Sequence, residues 1–201
     1  MIKRTLQAVL LSIPMLALSA QAAPVPGQPA PDFTLTDVSG KPVKLSDFKG
    51  RYVVLEWVNP DCPYVKRHYD SANMPALQKE AGGKNVAWLS INSTRAGHSE
   101  FKSAAQMAAW TKEKGAAPSA VLLDSDSKVG KAYGAATTPH MYIIDPKGQL
   151  IYVGAIDDRR SASLAETKNA KNYVRAALGE AMAGKPVSAA STVAYGCTVK
   201  Y

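Results

Sequence analysis

Two residues of this 201-residue sequence, Cys62 and Cys197, carry thiols, the side chains with the widest covalent chemistry near neutral pH. The reactive form is the thiolate, so the surroundings decide whether a cysteine reacts. Cys62 stands in Asn59-Pro60-Asp61-Cys62-Pro63, directly after the nearly unbroken apolar and β-branched run Tyr52–Val58. That pattern puts it between a strand and a helix opening at Pro63, a residue tolerated in a first turn where its missing donor is no loss. Unpaired amides and the dipole at a helix N-terminus favour a thiolate; Lys66 and Arg67 add positive charge one turn on, and Asp61 opposes them. The alternative is an inert core cysteine acting as a small apolar side chain. Glu56 is the other unusual residue, because an acid in so apolar a strand is costly without a purpose or a partner, such as a lysine at the strand end. His68, His98 and His140 are too dispersed to show metal-ligand spacing, and no cofactor is expected.

These side chains need elements to hold them. Tyr52–Val58 reads as a central strand buried on both faces of a largely parallel sheet. Before it, Phe33–Leu35 and Pro42–Leu45 flank the Ser39-Gly40 turn as a small N-terminal hairpin. After it, a helical segment reaches about Ala81, and alternation follows: strand Val86–Ile91, helix Ser99–Lys114, strand Ala120–Leu123 and short helix Ser127–Tyr133. Such βαβ units make an α/β fold. Met141–Ile144 and Leu150–Val153 are joined by the turn Asp145-Pro146-Lys147-Gly148 and form a second hairpin. A last helix is expected over about Leu164–Ala183. Residues 184–201, rich in Ser, Ala and Thr, read as a flexible tail carrying Cys197.

The N-terminus sets the expected compartment. Lys3 and Arg4 precede the apolar run Leu6–Leu18 and then Ala20-Gln21-Ala22, the layout of a secretory signal peptide over residues 1–22. Export to the periplasm or beyond is the expectation, with one domain over 23–183 followed by the tail. No later stretch approaches the roughly 20 apolar residues of a transmembrane helix, so no membrane insertion is expected. The formal charge of +8 comes from scattered Lys and Arg without an aromatic-basic array, which argues against a nucleic-acid partner. An exported protein meets oxidants that make disulfides persistent, so two cysteines invite bonding.

The order strand, Cys-Pro at a helix start, further βα units, Thr138-Pro139 before a strand, hairpin and last helix resembles the thioredoxin superfamily. Pro29-Ala30-Pro31-Asp32-Phe33-Thr34-Leu35, Gly40, Leu45, Phe48-Lys49-Gly50 and Val53-Val54-Leu55 are similar to the opening shared by AhpC/TSA and TlpA-like redoxins. Asn59–Lys66, Gly154-Ala155-Ile156-Asp157-Asp158 and Gly196-Cys197-Thr198-Val199-Lys200-Tyr201 resemble a peroxiredoxin-like group. The resemblance implies a thioredoxin fold, a central mixed β-sheet flanked by helices. It implies Cys62 as nucleophile and Glu56, six residues before it, as proton donor or acceptor. It further implies a cis Thr138-Pro139 bond against the nucleophile, with Thr138 contacting substrate; Pro63 and His140 complete the substrate-binding set.

Two departures from those families bear on the reaction. Valine stands at position 65, where a thioredoxin carries the second cysteine of Cys-X-X-Cys, so the local resolving thiol is missing. By the peroxiredoxin pattern, Cys62 falls near the threonine position, Val65 near the peroxidatic cysteine and Pro139 at the arginine. Thiol–disulfide exchange is therefore the first reading, with a protein or small-molecule disulfide as partner and an unidentified electron donor. Reduction of peroxides is the alternative, since a low-pKa thiol can be oxidised to a sulfenic acid. A non-catalytic binding or copper-handling module is a third reading, weakened by Lys66 in the place of the second copper-binding cysteine. Cys197 has three readings: a resolving thiol that cycles with Cys62, a permanent staple, or no bond to Cys62 at all.

Overall fold

The computed structural model describes residues 23–201; the expected signal peptide, residues 1–22, lies outside the described residues. Nine strands and five α-helices follow in order: β1 (Thr34–Asp37), β2 (Pro42–Lys44), β3 (Val53–Trp57), α1 (Pro63–Asp70), α2 (Asn73–Gly83), β4 (Ala87–Asn92), α3 (Ala104–Glu113), β5 (Ala120–Leu123), α4 (Lys128–Tyr133), β6 (Thr137–Thr138), β7 (His140–Ile144), β8 (Leu150–Gly154), α5 (Tyr173–Met182) and β9 (Cys197–Thr198). Seven strands form one sheet in the order β2-β1-β5-β4-β3-β7-β8. The pairs β3–β4 and β4–β5 are parallel, whereas β3–β7, β7–β8, β1–β5 and β1–β2 are antiparallel. This is the mixed sheet flanked by helices, opened by a hairpin, that the resemblance implied.

β3 lies near the middle, and all five of its residues are buried. Side chains alternate across a strand, so Val54, Glu56 and Val58 face one layer while Val53, Leu55 and Trp57 face the other. The first layer holds Cys62, Val65, Tyr69, Leu77, Met107 and Val174 from α1, α2, α3 and α5. The second packs Phe33, Tyr133, Tyr142 and Val199. Trp57, Tyr133 and Tyr142 meet there with ring centroids 5.0–5.4 Å apart, a spacing typical of edge-to-face aromatic pairs.

Helix limits depart from expectation where local capping wins. The segment after Cys62 splits into α1 and α2, because Ala72 takes a left-handed φ of 58° between them. α3 begins at Ala104 and not at Ser99, since Ser103 and Gln106 exchange capping hydrogen bonds. The final helix shortens to α5, capped by Asn172, with a single 3₁₀ turn at Leu164–Thr167 before it.

The last 18 residues differ most from the flexible tail expected, because they are strapped to the domain along their length. The Ser188 amide and hydroxyl donate to the Glu180 carboxylate at 2.8 and 2.7 Å. Further on, the Val153 amide donates to the Ala190 carbonyl and the Thr192 amide to the Val153 carbonyl, each at 3.0 Å. Gly154, with φ +149°, receives the strap: a Cβ there would collide with Thr192. β9 then pairs antiparallel with β6, Cys197 opposite Thr138. The end is fixed by the Val199 amide on the Ala136 carbonyl at 3.1 Å and the Tyr201 hydroxyl on the Ala135 carbonyl at 2.6 Å.

Candidate functional site

Cys62 is the N-cap of α1, with extended backbone angles, and Pro63 opens the first turn on the exposed side. The first helical bond runs from the Lys66 amide to the Cys62 carbonyl at 2.9 Å. The cysteine is 2 % exposed. A disulfide joins it to Cys197 with the Cα atoms 5.8 Å apart. The Thr138-Pro139 bond is cis, as the resemblance implied, and the Cys62 Sγ lies 3.1 Å from the Thr138 carbonyl oxygen. Thr138 is buried and its hydroxyl has no hydrogen-bond partner among the described residues. Cys62, Pro63, Thr138, Pro139 and Cys197 are thus brought together at the carboxyl end of β3, where α1 starts.

The charges around the sulfur differ from the sequence reading. Asp61, which would oppose a thiolate, is paired with Lys102 at 2.5 Å. Arg67 does not face the sulfur as a free cation. It is fully buried in an ion pair of 2.7 Å with Asp157, the arrangement a buried charge requires. Its remaining donors reach the Arg159 and Ser161 carbonyls and the Thr167 hydroxyl. What is left to stabilise a thiolate is the helix N-terminus itself, with the exposed Lys66 one turn on.

The Arg67–Asp157 pair grips the strap through Tyr195, two residues before Cys197. The Tyr195 hydroxyl donates to the Asp157 carboxylate. It lies 3.3 Å from the Arg67 guanidinium and 3.1 Å from His68 Nε2. Because the Asn73 amide meets His68 Nδ1 at 3.0 Å, Nε2 carries the proton and donates to Tyr195. Burial, with the Arg67 charge beside it, pulls His68 down to about 3 and keeps it neutral. Cys197 is therefore anchored on both sides, by Tyr195 before it and by Val199 and Tyr201 after it. Sequence reasoning missed this cluster; its only signals were Asp157 within the Gly154–Asp158 motif and an aromatic residue close before the second cysteine.

Glu56 sits inside the same layer as Cys62 but forms no hydrogen bond with either sulfur. Among the described residues it meets no lysine, the alternative partner, either. Its oxygens accept from the Tyr69 hydroxyl (2.8 Å), Trp88 Nε1 (2.8 Å), the Ser90 hydroxyl (2.9 Å) and the Gln78 amide (3.2 Å). Burial pushes its carboxyl above the usual range, and those donors pull the other way. His140, expected to line the site, turns instead into the opposite layer, its ring 4.6 Å from Tyr142 and its Nδ1 accepting from the Ala136 amide. Burial lowers it to about 4. Val65 is fully buried in the core and supplies no thiol. Among the described residues, no group of three or more His, Cys, Asp or Glu is arranged to hold a metal ion, and no helix is long and apolar enough to cross a membrane.

A disulfide at a helix N-terminus, laid against a cis-proline loop, can undergo thiolate attack and return. A solved structure of an uncharacterised conserved protein from Geobacillus kaustophilus superposes with a TM-score of 0.77 at 31% identity, covering 88% of this chain and 92% of that one. The thiol-disulfide oxidoreductase ResA of Bacillus subtilis is 31% identical over 128 residues, 63% of this chain and 65% of ResA. Peroxiredoxin Q of Oryza sativa is 31% identical over 135 residues, 63% of this chain and 57% of that protein. The match thus spans about two thirds or less of the length of ResA and of peroxiredoxin Q. Residues 26–153 match the AhpC/TSA profile, and the chain belongs to the AhpC/TSA family of thioredoxin-fold redoxins.

Proposed function

We propose that this chain is an exported thiol–disulfide oxidoreductase working through the Cys62–Cys197 pair. Cys62 supplies the stabilised thiolate, and Cys197 supplies the second thiol that a Cys-X-X-Cys spacing would otherwise place at residue 65. The observation that carries the reading is the disulfide itself, set on the N-cap of α1 against the cis-Pro139 loop. Thiolate stabilisation at a helix start is what makes a disulfide labile and not merely structural. The similarity to ResA supports the same reaction class. Partners would be disulfides of proteins or small molecules; the Thr138 backbone, expected to hold them, is paired with Cys197 of the chain's own β9. Peroxide reduction has weaker support, because Arg67, the buried arginine nearest in sequence to Cys62, has its donors committed to Asp157, Thr167 and two carbonyls.

The test is to equilibrate the folded protein with graded dithiothreitol, count alkylatable thiols by mass, and then assay turnover of insulin disulfides. Two thiols released while the fold persists, together with turnover that Cys62→Ser abolishes, is the expected result. A bond that yields only on unfolding would make the disulfide a staple and end the catalytic reading.

A further inference from the structure

In the closed form the two sulfurs are not equivalent. Cys62 is buried in the same apolar layer as Val58, Val65 and Tyr69, and the Thr138 carbonyl stands beside it. Cys197 is partly exposed on β9. A thiolate attacks a disulfide sulfur in line with the S–S bond, from the side away from the departing sulfur. Cys62, 2 % exposed, leaves an incoming thiolate little room, whereas Cys197, packed on the edge of the same layer, is partly open to solvent.

The leaving group points the same way. Attack at one sulfur expels the other as thiolate, and the thiol of lower pKa leaves faster. Cys62 leaves onto the N-terminus of α1, while Cys197 sits in a two-residue strand with no helix start at its sulfur. Accessibility and leaving-group stability are independent arguments, and both select Cys197 as the sulfur attacked.

We propose that electrons reach and leave the pair through the sulfur of Cys197, with Cys62 as the buried thiolate that departs and returns. This rests on the thiol-exchange reading above and assigns its order of events. A donor thiol loses its proton to solvent, and its thiolate attacks the Cys197 Sγ. The Cys62–Cys197 bond breaks, and its electron pair leaves on Cys62. A second donor thiolate then attacks the donor sulfur of the mixed disulfide, releasing Cys197, which takes up a proton. The donor is oxidised by two electrons to its disulfide, and the protein is reduced by two. In reverse, Cys197 attacks a partner disulfide and Cys62 closes on Cys197, expelling the partner's thiolate. The strap need not lift for either direction, because Tyr195, Val199 and Tyr201 hold it without the disulfide.

The experiment uses the oxidised full-length protein and limiting glutathione, quenched within seconds by excess N-ethylmaleimide and mapped by mass spectrometry. The quench caps the expelled thiolate and freezes the mixed disulfide. Glutathione on Cys197 with maleimide on Cys62, in at least tenfold excess over the opposite product, is the expected result. Equal amounts, or glutathione mainly on Cys62, would overturn the assignment while leaving thiol exchange intact. Glutathione on neither cysteine, with the disulfide also resistant to dithiothreitol in the folded protein, would overturn both.

Discussion

Opening the Cys62–Cys197 bond should cost this protein about 5 kcal/mol of stability. The bond closes a loop of 135 residues. The loop-entropy relation then gives roughly −17 cal/mol/K lost by the unfolded chain, or about 5 kcal/mol at 25 °C. The full value appears only if the folded, reduced chain already holds Cys197 at Cys62. Were the strap to float free on reduction, the bond would restrict the folded state as well, and much of the gain would vanish. The anchors at Tyr195, Val199 and Tyr201 predict the first case. By linkage, the same 5 kcal/mol is a few-thousandfold ratio between the effective concentrations of the two thiols in folded and unfolded chains. Guanidinium unfolding of the oxidised protein, the dithiothreitol-reduced protein and the Cys197→Ser variant measures the gap directly, and thiol–disulfide equilibria in buffer and in denaturant measure it again. A gap below about 2 kcal/mol would refute the claim that the strap stays docked.

Tyr195→Phe removes the hydroxyl shared by Asp157, His68 and Arg67, so unfolding of the reduced protein should show a loss of about 1.5–3 kcal/mol; a loss under 0.5 kcal/mol would mean the anchor is idle. Gly196→Ala places a Cβ against the Thr138 carbonyl at a φ of +135°, so closure of the disulfide by oxidised glutathione should slow at least tenfold, and an unchanged rate would show that β6–β9 pairing is dispensable. His68 and His140 are held neutral in the fold, at about 3 and about 4, against about 6.5 unfolded. Unfolding therefore takes up their protons, and stability present above pH 6.5 is lost as pH falls toward 4, at about 1.4 kcal/mol per unit for each histidine. Glu56, its value raised, works with the opposite sign above pH 4.5, so the clean readout is His140→Phe, whose stability profile between pH 6 and 5 should be flatter by about 1.4 kcal/mol per unit; equal slopes would contradict the burial. Glu56→Gln turns an amide N–H toward at least one of four donors and should cost about 2 kcal/mol. The pH midpoint for alkylating reduced Cys62 should stay in place, since no hydrogen bond joins Glu56 to either sulfur, and a shift beyond one unit would restore a proton-relay role.

The scaffold was legible wherever local pattern and burial agree. The run Tyr52–Val58 became β3, fully buried, because a strand covered on both faces must be apolar throughout. Cys62 and Pro63 marked the start of α1 for the same local reasons. The break at Ala72 carried no signal, since alanine seldom adopts a left-handed φ and no glycine marked the turn. The start of α3 was written in Ser103 and Gln106, three apart, and the longer expectation from Ser99 passed over it. Of the site, Cys62, Thr138, Pro139 and Cys197 were readable as types and positions. Their supports were not: Arg67 meets Asp157 across 90 residues and Tyr195 across 128, and no periodicity links them. His140 was misplaced because adjacency to Pro139 in sequence does not say which face of β7 a side chain takes.

On the proposed reading, a second thiol at residue 197 in place of residue 65 changes what the redox pair depends on. A Cys-X-X-Cys pair is held by one helical turn and survives much disruption elsewhere. Here the partner arrives on a strap whose docking needs Gly154 to admit Thr192, Gly196 to approach Thr138, and the buried Arg67–Asp157 pair to receive Tyr195. The pair is therefore a tertiary feature, and its exchange chemistry should track the integrity of the whole domain. The buried ion pair makes this steep, because removing either charge leaves the other desolvated and alone. Asp157→Asn, far from the sulfurs in sequence, should consequently weaken the Cys62–Cys197 bond against glutathione at least tenfold in the folded protein, whereas a strap held only by its disulfide would leave that equilibrium unmoved.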